Sequence, residues 1–378
     1  MSARRERRPE ALPLDEGVLR EGPVCEFQSF HAAQAKGGLV VQPWRDAYLS
    51  AARVGEQAEF EAVPHAREIP DGAFTQVVVH LQKSRAATFD DLRHAWRILA
   101  PGGQLLFTGT NTLGITSAVK RLGKQLDQAG IIVANRARAR VVRFKKDDGP
   151  GPEVEAPPGL SASVESIHGE TFSLDLETRP GVFSAKRLDA GSALLLDALP
   201  RFVGHKPPKR IVDLGCGTGV LGLSAALLFP EAEVLLVDAD TRAVECAQAN
   251  IDRLGLTDRV RVAWWDAREA PLGDRFNLAL VNPPFHHRGP EVDLAPAFAL
   301  FQSLSTWLSR SGRALLVANQ TLPYEEALDR VGRIEQLNVT KGYKLLSLNR
   351  SARSSGSKGR NSPGESEFGI GKQPTRSR

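Results

Sequence analysis

The sequence predicts two α/β domains in tandem, each built on a doubly wound, mostly parallel sheet, with the first a degenerate copy of the second. Three observations carry this. Short apolar runs alternate with helical patterns between Lys209 and Arg350. The stretch FTQVVVH at 74–80 matches FNLALVN at 276–282, and ILAPGGQLLFTGT at 98–110 matches WLSRSGRALLVAN at 307–319, Gly103 falling on Gly312. The two offsets, 202 and 209 residues, differ only by the length of a loop. Strands that alternate with helices mean βαβ units and a parallel sheet.

In the second half the elements follow in order. RIVDLGC (210–216) is a short apolar run and reads as a buried strand. Gly219 to Phe229 is an apolar helix stopped by Pro230. EVLLVDAD (233–240) is a second strand. Thr241 to Leu254 is a helix, with Asp240 or Thr241 placed to cap it and Gly255 to end it. VRVAWWD (260–266), FNLALVN (276–282) and RALLVAN (313–319) are three more strands, with a helix over roughly 294–309 between the last two. The ending, IEQLNVT then GYKLLSLN about Lys341-Gly342, predicts an edge hairpin.

At 378 residues the chain has room for two domains, and 42% hydrophobic residues suffice for two cores. No run of 18 apolar residues suggests a membrane span, and the basic stretch Met1–Pro9 has no apolar run behind it to make a secretory signal. Three cysteines, Cys25, Cys216 and Cys246, lack metal-ligand spacing and fit a reducing cytoplasm. The expected layout is a loose basic N-terminus over 1–20, a degenerate domain over 21–146 and a Pro/Gly/acid-rich linker over 147–165. A catalytic domain over 166–350 and a disordered basic tail over 351–378 complete it. The second half holds the chemistry, because the first has His80-Leu81-Gln82-Lys83 where the second has Asn282-Pro283-Pro284-Phe285, and residues 1–70 lack a glycine-rich loop.

Asp213-Leu214-Gly215-Cys216-Gly217-Thr218-Gly219 ends one strand and opens a helix. Its glycines remove side chains where the backbone turns sharply and must approach a ligand, at a helix N-terminus that favours polar or anionic groups. Gly217-x-Gly219-x-x-Gly222 also fits a dinucleotide fingerprint, and Asp238 lies 21 residues after Gly217, where a ribose-binding acid is expected. Asp238 serves either reading; as a bare helix cap it is dispensable, since Asp240 can do that. Asp213, two residues before the first glycine, suits a ligand with an ammonium group, which a methionine moiety has and NAD lacks.

Asn282-Pro283-Pro284-Phe285 after an apolar strand is the most specific signal in the chain. The prolines fix the backbone and remove competing N–H donors. The Asn282 side-chain oxygen and the Pro283 carbonyl can accept both hydrogens of a planar amino group, and Phe285 offers a face for a base to stack on.

With this loop, Asp238, Asp266 and the Asn-Pro-Pro-Phe tetrapeptide, the sequence resembles class I (Rossmann-like) methyltransferases that modify planar exocyclic nitrogens. His286 after that motif, Val317 to Tyr324, Gly181-Val182-Phe183-Ser184 and the degenerate first domain make it similar to one family, the bacterial ribosomal RNA guanine-N2 methyltransferases. The likeness covers roughly 70–350 and is strongest over 171–350. It implies that S-adenosylmethionine is held by Asp213, Gly215, Cys216, Gly217 and Gly219, its ribose by Asp238 and Ala239 and its adenine near Asp266, with Asn282 beside it. It also implies contact of Asn282, Pro283, Pro284 and Phe285 with the target base. His287-Arg288 departs from the family pattern. His286 is a candidate proton acceptor, with water the alternative.

Net charge is +5, and nine Lys/Arg crowd 120–146 against a single acid, Asp127. Lys120, Arg121, Lys124, Arg136, Arg138, Arg140, Arg143, Lys145 and Lys146 are the expected contacts to ribosomal RNA or a ribosomal subunit, unless they merely guard a solvated edge strand. On a single strand Arg136, Arg138 and Arg140 would share one face, and Arg143 the other. No metal cluster is expected. The rival readings are a methyltransferase of protein glutamine or adenine, a non-catalytic RNA-binding assembly factor, and an NAD-dependent oxidoreductase.

Overall fold

A computed structural model describes residues 11–350 apart from 16, 59, 285, 289, 290 and 341. The tail after Arg350, the first ten residues and Phe285 therefore lie outside the described residues.

The first domain contains α1 (Leu12–Asp15), β1 (Val24–Phe27), α2 (His31–Lys36), β2 (Gly38–Val41), α3 (Arg45–Ala58), β3 (Phe60–Val63), β4 (Phe74–His80), α4 (Arg85–Ile98), β5 (Leu99–Thr110), α5 (Ile115–Leu126), β6 (Ile131–Arg136) and β7 (Ala139–Lys145). A hairpin of β8 (Leu160–Glu165) and β9 (Thr171–Leu176) follows. The second domain continues with α6 (Ala190–Val203), β10 (Arg210–Leu214), α7 (Val220–Leu228), β11 (Glu233–Asp238), α8 (Thr241–Arg253), β12 (Val260–Trp264) and β13 (Phe276–Val281). It closes with β14 (His286–Arg288), β15 (Glu291–Asp293), α9 (Ala295–Trp307), β16 (Leu308–Asn319), α10 (Glu325–Asp329), β17 (Arg333–Thr340) and β18 (Tyr343–Asn349).

The sheets repeat one topology. Their orders are β3-β2-β1-β4-β5-β7-β6 and β12-β11-β10-β13-β16-β18-β17, parallel except where β7 and β18 insert antiparallel. Even an irregularity is copied. Pairing of β4 with β5 slips between Phe74 and Gln76, and pairing of β13 with β16 slips between Phe276 and Leu278. Gly103 and Gly312 sit at this slip, where an added Cβ would come within 2.9 Å of the Thr75 and Phe276 carbonyls respectively. The duplication expected from the two offsets is thus present in the backbone.

The central strands are mostly apolar because both sheet faces are covered. Val77 and Val79 pack with α4 and α5, while Val78 packs with α2 and α3. Ile211 packs with α6, α7 and α8, whereas Val212 and Leu214 pack with α9. This three-layer arrangement leaves the carboxyl ends of the strands as the opening for ligands.

Three expectations need correction. The segment read as a linker ends in a strand, since Leu160–Glu165 is β8, whose Leu160 and Val164 are buried under the second domain. The strand alternates with a period of two, but it is only six residues long and follows directly on a Pro- and Gly-rich stretch that reads as loop. The N-terminus is not loose from residue 11 onward: Leu12 is buried in the first core, and Gln76 holds the backbone of Arg20. Arg136, Arg138 and Arg140 do not lie on one strand. The chain reverses at Ala137-Arg138, both with positive φ, so Arg136 ends β6 and Arg140 stands on β7.

The domains meet beside the second sheet's mouth. The Arg45 N–H donates to the Ala239 carbonyl (2.8 Å) and the Thr241 N–H to the Pro43 carbonyl (3.0 Å), bracketing a bridge between Trp44 and Asp240. The Arg45 guanidinium reaches both oxygens of Glu269 at 2.9 Å, and Arg268 pairs with Asp46 at 2.9 Å.

Candidate active site

The glycine loop links β10 to α7. Gly215, Gly217 and Gly219 have φ of 80°, 57° and 87°, the left-handed region in which a Cβ is strained. An added Cβ at Gly219 would also come within 2.9 Å of Leu236. The Gly215 and Cys216 N–H groups both donate to the Val237 carbonyl, which ties the loop to β11. Cys216 is buried and its thiol is pushed well up by that burial.

Asp213 is fully buried at the end of β10. One carboxylate oxygen accepts from the Gly222 N–H at 2.9 Å; the other, Oδ1, has no hydrogen-bond partner among the described residues. Burial pushes this carboxyl up to about 7, with the nearby Asp238 adding to it. A buried carboxylate oxygen without a donor is costly, and a ligand ammonium would satisfy it. The site therefore fits the methionine end of S-adenosylmethionine.

Asp238 ends β11 half-buried, accepting from Gly217 (2.8 Å) and Asp240 (2.9 Å), and burial raises its carboxyl to about 6. It does not cap α8: Asp240 does, accepting from the Arg242 N–H at 3.0 Å. Asp238 is thereby left facing the loop, with Ala239 beside it. Asp266 follows β12. Burial raises its carboxyl, but the Arg268 guanidinium, at 2.6 and 2.8 Å, outweighs that and holds it below the usual range. The Asp266 N–H donates to Glu269, the partner of Arg45, so Asp266 is braced from the first domain.

Asn282 leaves β13, which lies next to β10 in the sheet, and is half-buried; Pro283 is buried and Pro284 half-buried. The Asn282 Nδ2 donates to Asp189 Oδ2 at 3.1 Å and to Ser192 Oγ at 2.9 Å. A carboxylate can only accept, so this contact fixes which way the amide points. A hydrogen bond to a charged group contributes about 1.5–3 kcal/mol, so the flipped amide is held to roughly one part in ten or fewer. Among the described residues no donor reaches the Asn282 Oδ1. Asp189 and Ser192 escape sequence reasoning. Asp189 reads only as an N-cap for α6, and nothing local marks a partner 93 positions away.

The expected RNA-facing cations divide. Lys120, Arg121, Lys124, Arg138 and Lys145 are exposed or half-exposed, on α5, the β6–β7 turn and the end of β7. Lys146 is not available: its Nζ donates to the Trp96 (2.8 Å) and Leu99 (2.6 Å) carbonyls and closes the end of α4. Arg121 also lies over the Phe89 ring, 4.2 Å from its centroid. Arg140 and Arg143 are half-buried on β7.

A methyltransferase small domain model matches residues 173–347. Ribosomal RNA small subunit methyltransferase C of Pseudomonas aeruginosa strain LESB58 is 32% identical over 350 residues, spanning 90% of this chain and 93% of its own. This chain belongs to that family. The Citrobacter koseri member is 30% identical over 315 residues, covering 83% of this chain and 84% of its own. Among solved structures, the T. thermophilus 16S rRNA N2 guanine methyltransferase, determined with AdoMet and guanosine, superposes with a TM-score of 0.75 at 26% identity, over 92% of this chain and 93% of its own. Both tandem domains are therefore shared with that structure, and the mixed α/β architecture is the class I methyltransferase arrangement used twice. Among the described residues no helix is long and apolar enough to cross a membrane, and no cluster of His, Cys, Asp and Glu is placed to hold a metal.

Proposed function

We propose that this protein methylates the exocyclic N2 of a guanine in small-subunit ribosomal RNA, using S-adenosylmethionine, at the mouth formed by β10, β11 and β13. Cytoplasmic ribosomal RNA or an assembling subunit is the partner. The observation that carries the assignment is Asn282, its amide nitrogen tied down and its oxygen without a donor among the described residues, one strand away from the buried, unsatisfied Asp213 oxygen.

S-adenosylmethionine, when bound, supplies a methyl group already activated by its sulfonium. The residues named here then have to bind and orient. Asp213 takes the ammonium, Asp238 and Ala239 the ribose, and the stretch near Asp266 the adenine, while Gly215, Cys216, Gly217 and Gly219 let the backbone come close. Asn282 Oδ1 and the Pro283 carbonyl accept the two hydrogens of the guanine amino group. That aims the nitrogen lone pair out of the acceptor plane, and both acceptors gain strength as the amino hydrogens become more acidic in the transition state. In-line positioning supplies most of the rest. A paired guanine cannot reach such a pocket, so the target is unpaired or flipped out, and Phe285 stacks on it. The exposed cations of the first domain hold RNA phosphates.

The test is transfer from labelled S-adenosylmethionine to ribosomal RNA and to small subunits from cells lacking this protein, with the modified nucleoside identified by mass. N2-methylguanosine in small-subunit RNA is expected. Label in protein or adenosine overturns the substrate assignment, and no transfer despite cofactor binding favours an assembly factor.

A further inference from the structure

We infer that Asp189 is the positioning residue for Asn282: it fixes the carboxamide with its oxygen toward the target amino group, and so acts on the reaction without touching substrate. The inference rests on the role proposed above for Asn282.

Asp189 immediately precedes α6 and does three things at once. Its Oδ2 accepts from the Ser192 N–H at 3.1 Å, the ordinary capping bond of a helix N-terminus. The same oxygen accepts from Asn282 Nδ2 at 3.1 Å, and its Oδ1 accepts from the Tyr343 hydroxyl at 3.3 Å. The second amide hydrogen of Asn282 is taken by Ser192 Oγ at 2.9 Å, on the first turn of the same helix. Both donors of Asn282 are thus consumed on one side by α6, and only its acceptor is left for a ligand. Capping alone would not need a carboxylate shared with two residues from other parts of the chain.

The packing around the carboxylate supports this. Residue 191, in the first turn of α6, is glycine, and a Cβ there would lie 2.9 Å from Asp189 Oδ2 and 3.1 Å from the Tyr343 ring. The turn is kept bare on the side where the carboxylate and the tyrosine meet. Tyr343 comes from β18, at the far end of the chain from α6 within this domain, so the orientation of Asn282 is set by three separate segments.

The decisive variant is Asp189→Ser. Serine is as good an N-cap as aspartate, so α6 keeps its start, but the shorter hydroxyl is not an acceptor-only group and does not hold the amide. Turnover on small-subunit RNA is measured for the wild type, Asp189→Ser, Asn282→Ala and the double variant, with S-adenosylmethionine affinity and thermal midpoint recorded for each. The expected result is a fall in kcat of about 10- to 100-fold for Asp189→Ser, with cofactor affinity and midpoint close to wild type. In the Asn282→Ala background the same change should cost nothing further, because the group it positions is gone. A wild-type kcat for Asp189→Ser overturns the inference. So does an equal loss in both backgrounds, which leaves the proposed function standing. Should Asn282→Ala itself turn over normally, the proposed role of Asn282 fails and the inference with it.

Discussion

The two domains share a fold, yet the carboxylate at one mouth keeps an oxygen without a partner among the described residues while that at the other is met by a neighbouring side chain. The sheet register sets the comparison. Glu26 stands opposite Val78 in β4, as Asp213 stands opposite Leu280 in β13, and these partners are 202 residues apart. Each carboxylate accepts from backbone N–H groups of the following helix: Glu26 from Ala32 (2.7 Å) and Ala33 (3.1 Å), Asp213 from Gly222 (2.9 Å). Glutamate is one methylene longer, and its second oxygen reaches His80 at 2.8 Å, the residue in the place of Asn282. The aspartate's second oxygen meets no donor among the described residues.

Two residues further on, Gln28 and Gly215 have φ of 71° and 80°, and their N–H groups donate to the equivalent carbonyls of Val41 and Val237. The bend has survived in the first domain, but a side chain now occupies the space that glycine leaves. Gln28 and Gln82 both donate to Asp91, at 2.9 and 2.6 Å, and burial raises the Asp91 carboxyl to about 7, with Arg242 of the second domain acting against that. Arg242 also reaches Gln82 at 3.4 Å. The degenerate mouth has therefore become part of the surface on which α8 docks. The lesson is that a ligand site is retained by leaving a buried polar group unsatisfied, and disappears when a neighbour satisfies it.

The comparison can be broken at several points. Asn282→Ala should lower kcat by about 10²–10³-fold with RNA affinity unchanged, the size seen when one transition-state hydrogen bond is removed. His80→Ala, at the matching place, should leave kcat per folded molecule alone. Rapid-quench turnover of the two variants decides whether only one mouth works. Asp213→Asn should weaken S-adenosylmethionine binding about 10- to 100-fold, the worth of a charged hydrogen bond. Because the free carboxyl titrates near 7 and only its ionised form takes an ammonium, wild-type affinity should tighten as pH rises toward 7 and level off above it. The limiting slope is about tenfold per pH unit, and calorimetry should show it flattened in Asp213→Asn. Titration should also give one cofactor site per chain, and two would refute the filled-mouth account.

Smaller effects sharpen the division of labour. His80→Ala leaves Glu26 buried without that partner and should cost about 1–3 kcal/mol in denaturant unfolding. Replacing Lys120, Lys124 and Arg138 together by alanine should make the dependence of log RNA affinity on log salt shallower, by about 0.7–0.9 for each phosphate no longer neutralised. Cofactor binding should be unchanged in that triple variant. Arg45→Ala removes a partly exposed pair and should cost about 1 kcal/mol or less in stability. Any loosening of cofactor binding in that variant would measure how far the first domain braces Asp266.

The sequence by itself determined the α/β class, the duplication, the glycine loop and the Asn-Pro-Pro-Phe motif, because each rests on a local pattern: apolar runs buried on both faces, glycines where φ is positive, prolines that remove donors. It also placed Asp240 as an available cap, which frees Asp238. It mistook β8 for linker, since the short alternation of Leu160, Ala162 and Val164 with Ser161, Ser163 and Glu165 follows directly on a Pro- and Gly-rich stretch that reads as loop. It put Arg136, Arg138 and Arg140 on one strand, since parity cannot detect a reversal at Ala137-Arg138 that uses no glycine. Lys146 looked like a phosphate contact because the carbonyls it closes lie on a helix some fifty positions earlier. Tertiary structure alone decided that Asp189 and Ser192 turn Asn282, that Glu26 and His80 close the first mouth, and that Arg45 and Arg268 join the domains. In each of these the partners are far apart in the chain. Hydrogen bonds between distant side chains leave no periodic trace, and only folding brings their donors and acceptors within reach.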